Sequence, residues 1–334
     1  MKTLRMLTTS SLLEAGAQAL TEKAQAEEST KIATLRGGSI GLAEKTDKGI
    51  EVSGTCPRQA MLRFLGIDVK GMEEPSTRDL MFAAGRTNED SWLEVLAQAW
   101  PGKILREEEV PIKWTTPNGT PVSGRPDIVL ATEDGSQYVR GLELKLVSSL
   151  WTARTVLKGE PKTGHLTQAA HYMWKLSEQA GYDVPFELWY TSRVDWHIMG
   201  WAQKHFPKHG EVNSEHCEYS TNKEGVSEIK KVLPFVKGFE LRYTKSGSLE
   251  FRQTGGKKWV DTIITKDRIA MYYEQVETMV QSKSLHSRPV NLDYSGQKEN
   301  WKQCDFCPLA KICDEYEDKG FEVWLSQITK GNKL

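Results

Sequence analysis

Three cysteines, Cys304, Cys307 and Cys313, form a C-x2-C-x5-C array in WKQCDFCPLAKIC near the C-terminus, and a fourth, Cys56, stands far upstream in GTCPRQAMLRF. No other feature restricts the fold as strongly. If one group takes all four thiolates, the start of the fold must meet its end, and the chain between them becomes a closed loop. Closing so long a loop restricts the unfolded chain, as a disulfide would. Thiolate-only coordination suits both Zn2+ and an iron–sulfur cluster, and the spacing alone slightly favours zinc. A disulfide framework is the weaker third reading.

The body between the cysteines has to supply the function. At 334 residues, with 38% hydrophobic and 27% charged side chains, the chain is long enough for one large or two smaller domains with a proper core. No run approaches the roughly 18 apolar residues of a membrane helix. The opening MKTLRMLTTSSLLEAGAQAL lacks the unbroken apolar stretch of a secretory signal. The expectation is a soluble cytoplasmic protein with no membrane partner, in a reducing compartment that favours metal over disulfide. A net charge of −1 leaves no global footprint for a polyanion. It does not exclude nucleic acid, because positive charge can be confined to a groove and a bound divalent cation adds more.

Four segments are expected. Residues 1–50, rich in Ala, Ser, Thr, Glu and Lys, read as a partly mobile extension with an amphipathic helix over 10–26 and a glycine-containing loop, LRGGSIG. Residues 51–203 begin with a short helix, CPRQAMLRFLG, closed by Gly66. A longer helix over 75–100 follows, with Leu80, Ala84, Leu93 and Leu96 toward the core and Glu89 within it. Next, KILREEEVPIKW, GTPVSGRPDIVLA and QYVRGLELKLV read as an antiparallel meander with turns at PNG and EDG. The helix TGHLTQAAHYMWKLSEQA, the strand PFELWYTSR and a further strand at DWHIMGW complete an α/β sandwich with a mixed central sheet. Residues 204–265 hold a small β insertion, with alternating segments in ELRYTKSGSLEFRQTGGKKWVDTII. Residues 266–334 supply a helix over 266–283 and the cysteine array. There is no internal repeat or low-complexity tract.

The chemistry sits in the meander. Asp127 lies in GRPDIVL, and sixteen residues on, Glu143 and Lys145 appear as E-L-K in GLELKLV. On a strand, residues two apart share a face, so Glu143 and Lys145 project together while Leu144 points into the core. Asp127 on the neighbouring strand then meets Glu143. Two carboxylates and a backbone carbonyl are hard oxygen ligands for Mg2+ or Mn2+, and an ammonium beside them positions or deprotonates a water. An E-x-K pair is more often the wet face of a strand. Here Leu142, Leu144, Leu146 and Val147 make the strand too apolar for an ordinary edge, and burying the charged pair needs a partner such as a metal.

GRPD followed by ELK, Glu89 on an upstream helix in AAGRTNEDSW, and the Q-x3-Y pair Gln168 and Tyr172 together resemble the PD-(D/E)xK nuclease superfamily, specifically its RecB-like branch. A lone upstream cysteine followed by C-x2-C-x5-C resembles that branch's iron-staple members, which include AddB-type helicase-nucleases and CRISPR-associated nucleases that process spacer precursors. The resemblance spans Cys56 to Cys313. It implies a restriction-endonuclease-like core and a structural [4Fe–4S] cluster on Cys56, Cys304, Cys307 and Cys313, with zinc as the alternative. It also implies a catalytic Mg2+ or Mn2+ held by Asp127, Glu143, the Leu144 carbonyl and Glu89. Lys145 would orient the attacking water and offset phosphate charge. Gln168 and Tyr172 would contact nucleic acid or support the site, against the plain reading in which Tyr172 is core. One departure is that RecB-like members often carry His where this chain has Asn88, Glu89 and Asp90.

The implied activity is a metal-dependent deoxyribonuclease, most simply an exonuclease at single-stranded or duplex DNA ends in recombination, replication or repair. Without a G-x4-GK[ST] motif, the chain resembles a stand-alone phage-type or accessory enzyme working beside a phage or host recombination or replication protein. The alternative is a non-catalytic nucleic-acid-binding or assembly module that keeps the cluster fold. The joint presence of Asp127, Glu143 and Lys145 argues against such decay. His205, His209, His216 and Cys217 in HFPKHGEVNSEHC have metal-ligand spacing but read better as a solvated loop. Aromatic and basic residues interleave at Trp189, Tyr190, Arg193 and Trp196, and again at Lys257, Lys258 and Trp259, as in single-strand binding surfaces; core packing explains the first group equally well.

Overall fold

The structure, a computed structural model, describes residues 35–36, 40–67, 75–198, 216–221, 223, 225, 227–299, 304 and 307–331; the side chains of 75–82 and 330–331 fall outside that description. The helix expected over 10–26, and His205 and His209 of the histidine-rich segment, lie outside the described residues.

Fifteen strands and seven helices are described. The strands are β1 (Leu35–Arg36), β2 (Gly41–Thr46), β3 (Gly49–Gly54), β4 (Lys103–Arg106), β5 (Ile112–Thr115), β6 (Pro121–Gly124), β7 (Ile128–Ala131), β8 (Tyr138–Leu146), β9 (Phe186–Ser192), β10 (Trp196–His197), β11 (Cys217–Thr221), β12 (Ser227–Val232), β13 (Phe235–Tyr243), β14 (Ser248–Gln253) and β15 (Val260–Thr265). The helices are α1 (Pro57–Phe64), α2 (Pro75–Ala99), α3 (Leu150–Leu157), α4 (Thr163–Ala180), α5 (Lys266–Ser282), α6 (Ala310–Tyr316) and α7 (Phe321–Gly331).

A seven-stranded sheet in the order β15-β14-β13-β9-β8-β7-β4 forms the centre of an α/β architecture. It is mixed. The β8–β9 pair is parallel, and the other neighbours are antiparallel. A parallel pair needs a long crossover, supplied here by α3 and α4, and Gly181 in the left-handed region (φ 77°) ends α4 and turns the chain into β9. Every position of β7 is buried, as expected for a strand covered on both faces.

Alternation along β8 and β9 assigns the two faces. Leu142 and Leu144 join Ile128 and Leu130 in a cluster closed by Trp92, Leu93 and Leu96 of α2 and by Trp189. The opposite face carries Phe186, Leu188 and Tyr190 in the larger core with Leu166, Ala169, Ala170, Tyr172, Met173 and Leu176 of α4. Gly141 on that face is a close-approach glycine: a Cβ there would stand 2.3 Å from the Phe186 ring.

Three expectations need correction. The predicted single meander is divided. β4, β7 and β8 stay in the central sheet, while β6 pairs with β5 on one side and β1 on the other as a separate three-stranded sheet. The breaks fall beside Pro111 and at Gly124-Arg125-Pro126, where proline cannot donate to a ladder. Leu35 and Arg36, read as loop, are β1, paired parallel to Val122 and Ser123. Ala84 is exposed rather than core, whereas Leu96 is buried and Leu93 half-buried. The three segments from ELRYTKSGS onward are β13, β14 and β15, which continue the central sheet outward from β9; β10, β11 and β12 make a small sheet of their own. Among the described residues, no helix is long and apolar enough to cross a membrane.

Candidate active site

Glu143 and Lys145 lie on the α4-facing side of β8, as their spacing requires, and the Lys145 ammonium meets Glu143 Oε1 at 2.5 Å. Glu143 is fully buried and, among the described residues, its other oxygen, Oε2, has no hydrogen-bond partner. Ile128 pairs with Leu142, so Asp127, one residue before β7, falls beside Glu143. The Leu144 N–H donates to Asp127 Oδ2 at 2.6 Å, which fixes the carboxylate at the strand end. Glu89 approaches from α2, and the negative charge of Glu107 reaches both Glu89 and Asp127.

So many carboxylates with one ammonium have an electrostatic consequence. Burial, then the charges of Asp127 and Glu107, raise Glu89 to about 7, with Lys145 opposing. Glu143 is raised by burial and by Asp127, again against the pull of Lys145. Asp127 rises through burial, relieved by Lys145 and the Leu144 N–H. For Lys145, burial works downward, but Glu143 and Asp127 outweigh it and keep the ammonium charged.

The donor atoms are of the type that a hard divalent cation takes. They include carboxylate oxygens from three elements, and the unpartnered Oε2 of a buried Glu143 is the kind of orphan a bound cation satisfies. Among the described residues, no three His, Cys, Asp or Glu side chains stand close enough together to grip an ion directly.

Gln168 and Tyr172 meet on α4, the amide donating to the phenol oxygen at 3.3 Å. Tyr172 is buried, and both burial and the nearby Glu143 charge raise its pKa. Its ring lies against Gly124 of the GRPD segment, where a Cβ would stand 2.4 Å from Tyr172 Cε1. Sequence reasoning missed Glu107, Lys162 and His165, and read Tyr190 as either a strand-binding aromatic or a core residue. Tyr190 is a core residue whose hydroxyl accepts from the Lys162 N–H at 3.1 Å and lies 2.9 Å from His165 Nδ1. Only the Q-x3-Y pattern offered a signal for His165, which precedes Gln168 by three on one helix face.

The second site is the cysteine array. All five cysteines are free thiols, so no disulfide closes the fold. Cys56 is the N-cap of α1, buried and pushed up to about 11, with the charge of Cys307 adding to the effect of burial. Cys304 is raised by burial and feels both Cys307 and Cys313. Cys307 is therefore within electrostatic reach of both Cys56 and Cys304, and Cys313 of Cys304. Gln59 Nε2 donates to Cys307 Sγ at 3.2 Å, and the Arg58 guanidinium lies by Cys313 while binding Glu317 at 2.7 Å. Cys217 sits apart from this array in β11, with Lys237 nearby.

The aromatic–basic segments are less open than their composition suggested. Tyr190 is core, Trp189 packs edge-on to Trp92 at 4.9 Å, and the Trp259 ring is covered by Arg242 at 3.9 Å and Arg252 at 4.6 Å. Lys257 and Lys258 at the hairpin tip are exposed.

No family model matches the chain, and no curated protein matches it. A solved structure described as the crystal structure of SSO0001 is similar over 89% of this chain and 94% of that one, with 13% identity and a TM-score of 0.42. A likeness that remote assigns no chemistry.

Proposed function

We propose that the protein is a Mg2+- or Mn2+-dependent deoxyribonuclease of the PD-(D/E)xK, RecB-like kind, hydrolysing phosphodiester bonds at DNA ends in recombination, replication or repair, with a structural [4Fe–4S] staple. One observation carries this reading: a fully buried Glu143 with one oxygen on Lys145 and the other unpartnered, with Asp127 and Glu89 converging from separate elements. A buried charged cluster of that kind is costly unless it performs chemistry or holds an ion.

Glu89, Asp127, Glu143 and the Leu144 carbonyl would hold the cation, which supplies Lewis-acid charge at the phosphodiester. Lys145, kept as an ammonium by its carboxylate neighbours, donates to the attacking water and offsets charge on the pentavalent phosphate; it does not act as a base. Tyr172, buried beside Glu143 and held by Gln168, supports the carboxylate from the α4 side. Cys56, Cys304, Cys307 and Cys313 would hold the cluster, whose role is structural.

The test is cleavage of linear, circular and single-stranded DNA with Mg2+ or Mn2+, alongside iron and sulfide analysis of anaerobically purified protein. Cleavage of linear DNA that disappears in Lys145→Ala supports the reading. Cleavage untouched by that substitution sinks the site, and iron-free protein carrying stoichiometric zinc sinks the cluster.

A further inference from the structure

The nuclease reading uses Glu89, Asp127, Glu143, Lys145, Gln168 and Tyr172, and leaves aside His165, an imidazole on which the Lys145 charge acts. His165 sits in the first turn of α4, three residues before Gln168 and seven before Tyr172, on the same stripe of the helix. Its Nδ1 lies 2.9 Å from the hydroxyl of Tyr190. Tyr190 is paired across β8–β9 with Lys145, so a ring held on that hydroxyl stands on the Lys145 face of the sheet.

The hydrogen bonds fix the tautomer. The Tyr190 oxygen already accepts from the Lys162 backbone N–H at 3.1 Å, and a backbone N–H can only donate. Tyr190 is fully buried, so its own proton needs an acceptor, and among the described residues His165 Nδ1 is the one within reach. Nδ1 therefore accepts, and the ring proton is on Nε2. An imidazolium would turn Nδ1 into a donor and strand the Tyr190 proton. Burial, together with the charges of Lys145 and Lys162, agrees with this, holding His165 neutral down to about 3. Among the described residues, the hydrogen bond of His165 is the one at Nδ1, and Nε2 makes none. The charges acting on the ring are both positive, so the ligand that suits this N–H is an anionic oxygen.

We propose that His165, locked as the Nε2–H tautomer by Tyr190, is a further substrate-contacting group of this site, a neutral donor to a phosphodiester oxygen of the bound DNA strand. The proposal rests on the nuclease reading of the same site. Tyr190 acts through His165 and is a positioning residue. Lys145 brings charge to the phosphate, and His165 brings a directional hydrogen bond without adding a third cation to a site flanked by Lys145 and Lys162.

The test joins a spectroscopic readout to a kinetic one. Nitrogen-15 NMR of the imidazoles in the wild-type protein is expected to show His165 as the Nε2–H tautomer, with Nε2 shifting when an uncleaved DNA oligonucleotide binds in Ca2+. Tyr190→Phe should release the lock and give a mixture of tautomers. His165→Ala should lower kcat/KM on linear DNA by about 10- to 100-fold, the range for a hydrogen bond to a charged group, and His165→Gln should restore part of it. A wild-type Nδ1–H tautomer, or an Nε2 resonance unmoved by the oligonucleotide, overturns the role even if His165→Ala folds poorly. His165→Ala cleaving as wild type while Lys145→Ala is inactive overturns it and leaves the nuclease reading standing. A wild-type protein that neither binds nor cleaves DNA removes both.

Discussion

Glu143 and Lys145 touch each other two residues apart on β8, an arrangement that on most strands would face water. Here three carboxylates share one ammonium, and the folded, metal-free protein relieves that by holding protons. Glu89 is raised to about 7 and Glu143 is raised as well, both first by burial. Between the ordinary carboxylate range and pH ~7 the folded state binds more protons than the unfolded chain, so stability falls as pH rises. In thermal melts, metal-free protein is expected to unfold at a lower temperature at pH 8 than at pH 6. Mn2+ should raise the midpoint more at pH 8, and Glu143→Gln should flatten both effects. Removing Lys145 leaves Glu143 and Asp127 buried without a cation. Lys145→Ala is accordingly expected to steepen the loss of stability with pH and to lower kcat by about 10²–10³-fold, measured where the variant is folded. Asp127, Glu143 and Lys145 were legible in the sequence because strand alternation is a local rule. Glu107 and His165 were not, because their bearing on the site comes from the pairing of β4 with β7 and the packing of α4 against β8 and β9.

Between elements, the same division appears in the β5–β6 hairpin. Its turn is fastened to α5 by Glu277, which is buried and accepts from Thr116 Oγ1 at 2.8 Å and Asn118 Nδ2 at 2.9 Å, and from the N–H and hydroxyl of Thr120. Burial works against the carboxylate, but these donors outweigh it and hold Glu277 below its usual range. Glu277→Ala strands several donors and should cost about 2–4 kcal/mol in urea unfolding, without moving the Asp127–Glu143–Lys145 geometry. Gly124 tests the link from this hairpin to the site. Gly124→Ala would put a methyl group into the Tyr172 ring, so it is expected to destabilise the fold by about 1–3 kcal/mol and to lower activity through Tyr172. Hydrophobic alternation predicted strands over both stretches. It could not say that they divide between two sheets, because a ladder's partner depends on where proline interrupts the chain in space.

Across the whole molecule, contacts bring residues near Cys56 to the C-terminal segment. The Val290 N–H donates to the Val52 carbonyl at 2.8 Å, Arg58 binds both the His286 carbonyl and Glu317, Arg288 binds Glu317 and Asp314, and Gln59 reaches Cys307. These join the neighbourhood of α1 to the segments before and after the cysteine array whatever the thiols hold. Cys307→Ser is expected to lose iron and sulfide and to lower the melting midpoint, while Glu317→Ala lowers the midpoint with the iron content kept. A Cys307→Ser protein as stable as wild type would mean that the clasp carries none of the fold's stability.

Residue order alone carried the helices α1, α2, α4 and α5, the mixed α/β character and the shared face of Glu143 and Lys145, since each follows from spacing along one segment or from the order of segments. Which strands pair with which, that Glu143 Oε2 is left unpartnered, that Trp259 is covered and that Tyr190 holds His165 in one tautomer all depend on residues far apart in the chain. Those are packing outcomes, set by burial and by where each buried donor finds its acceptor.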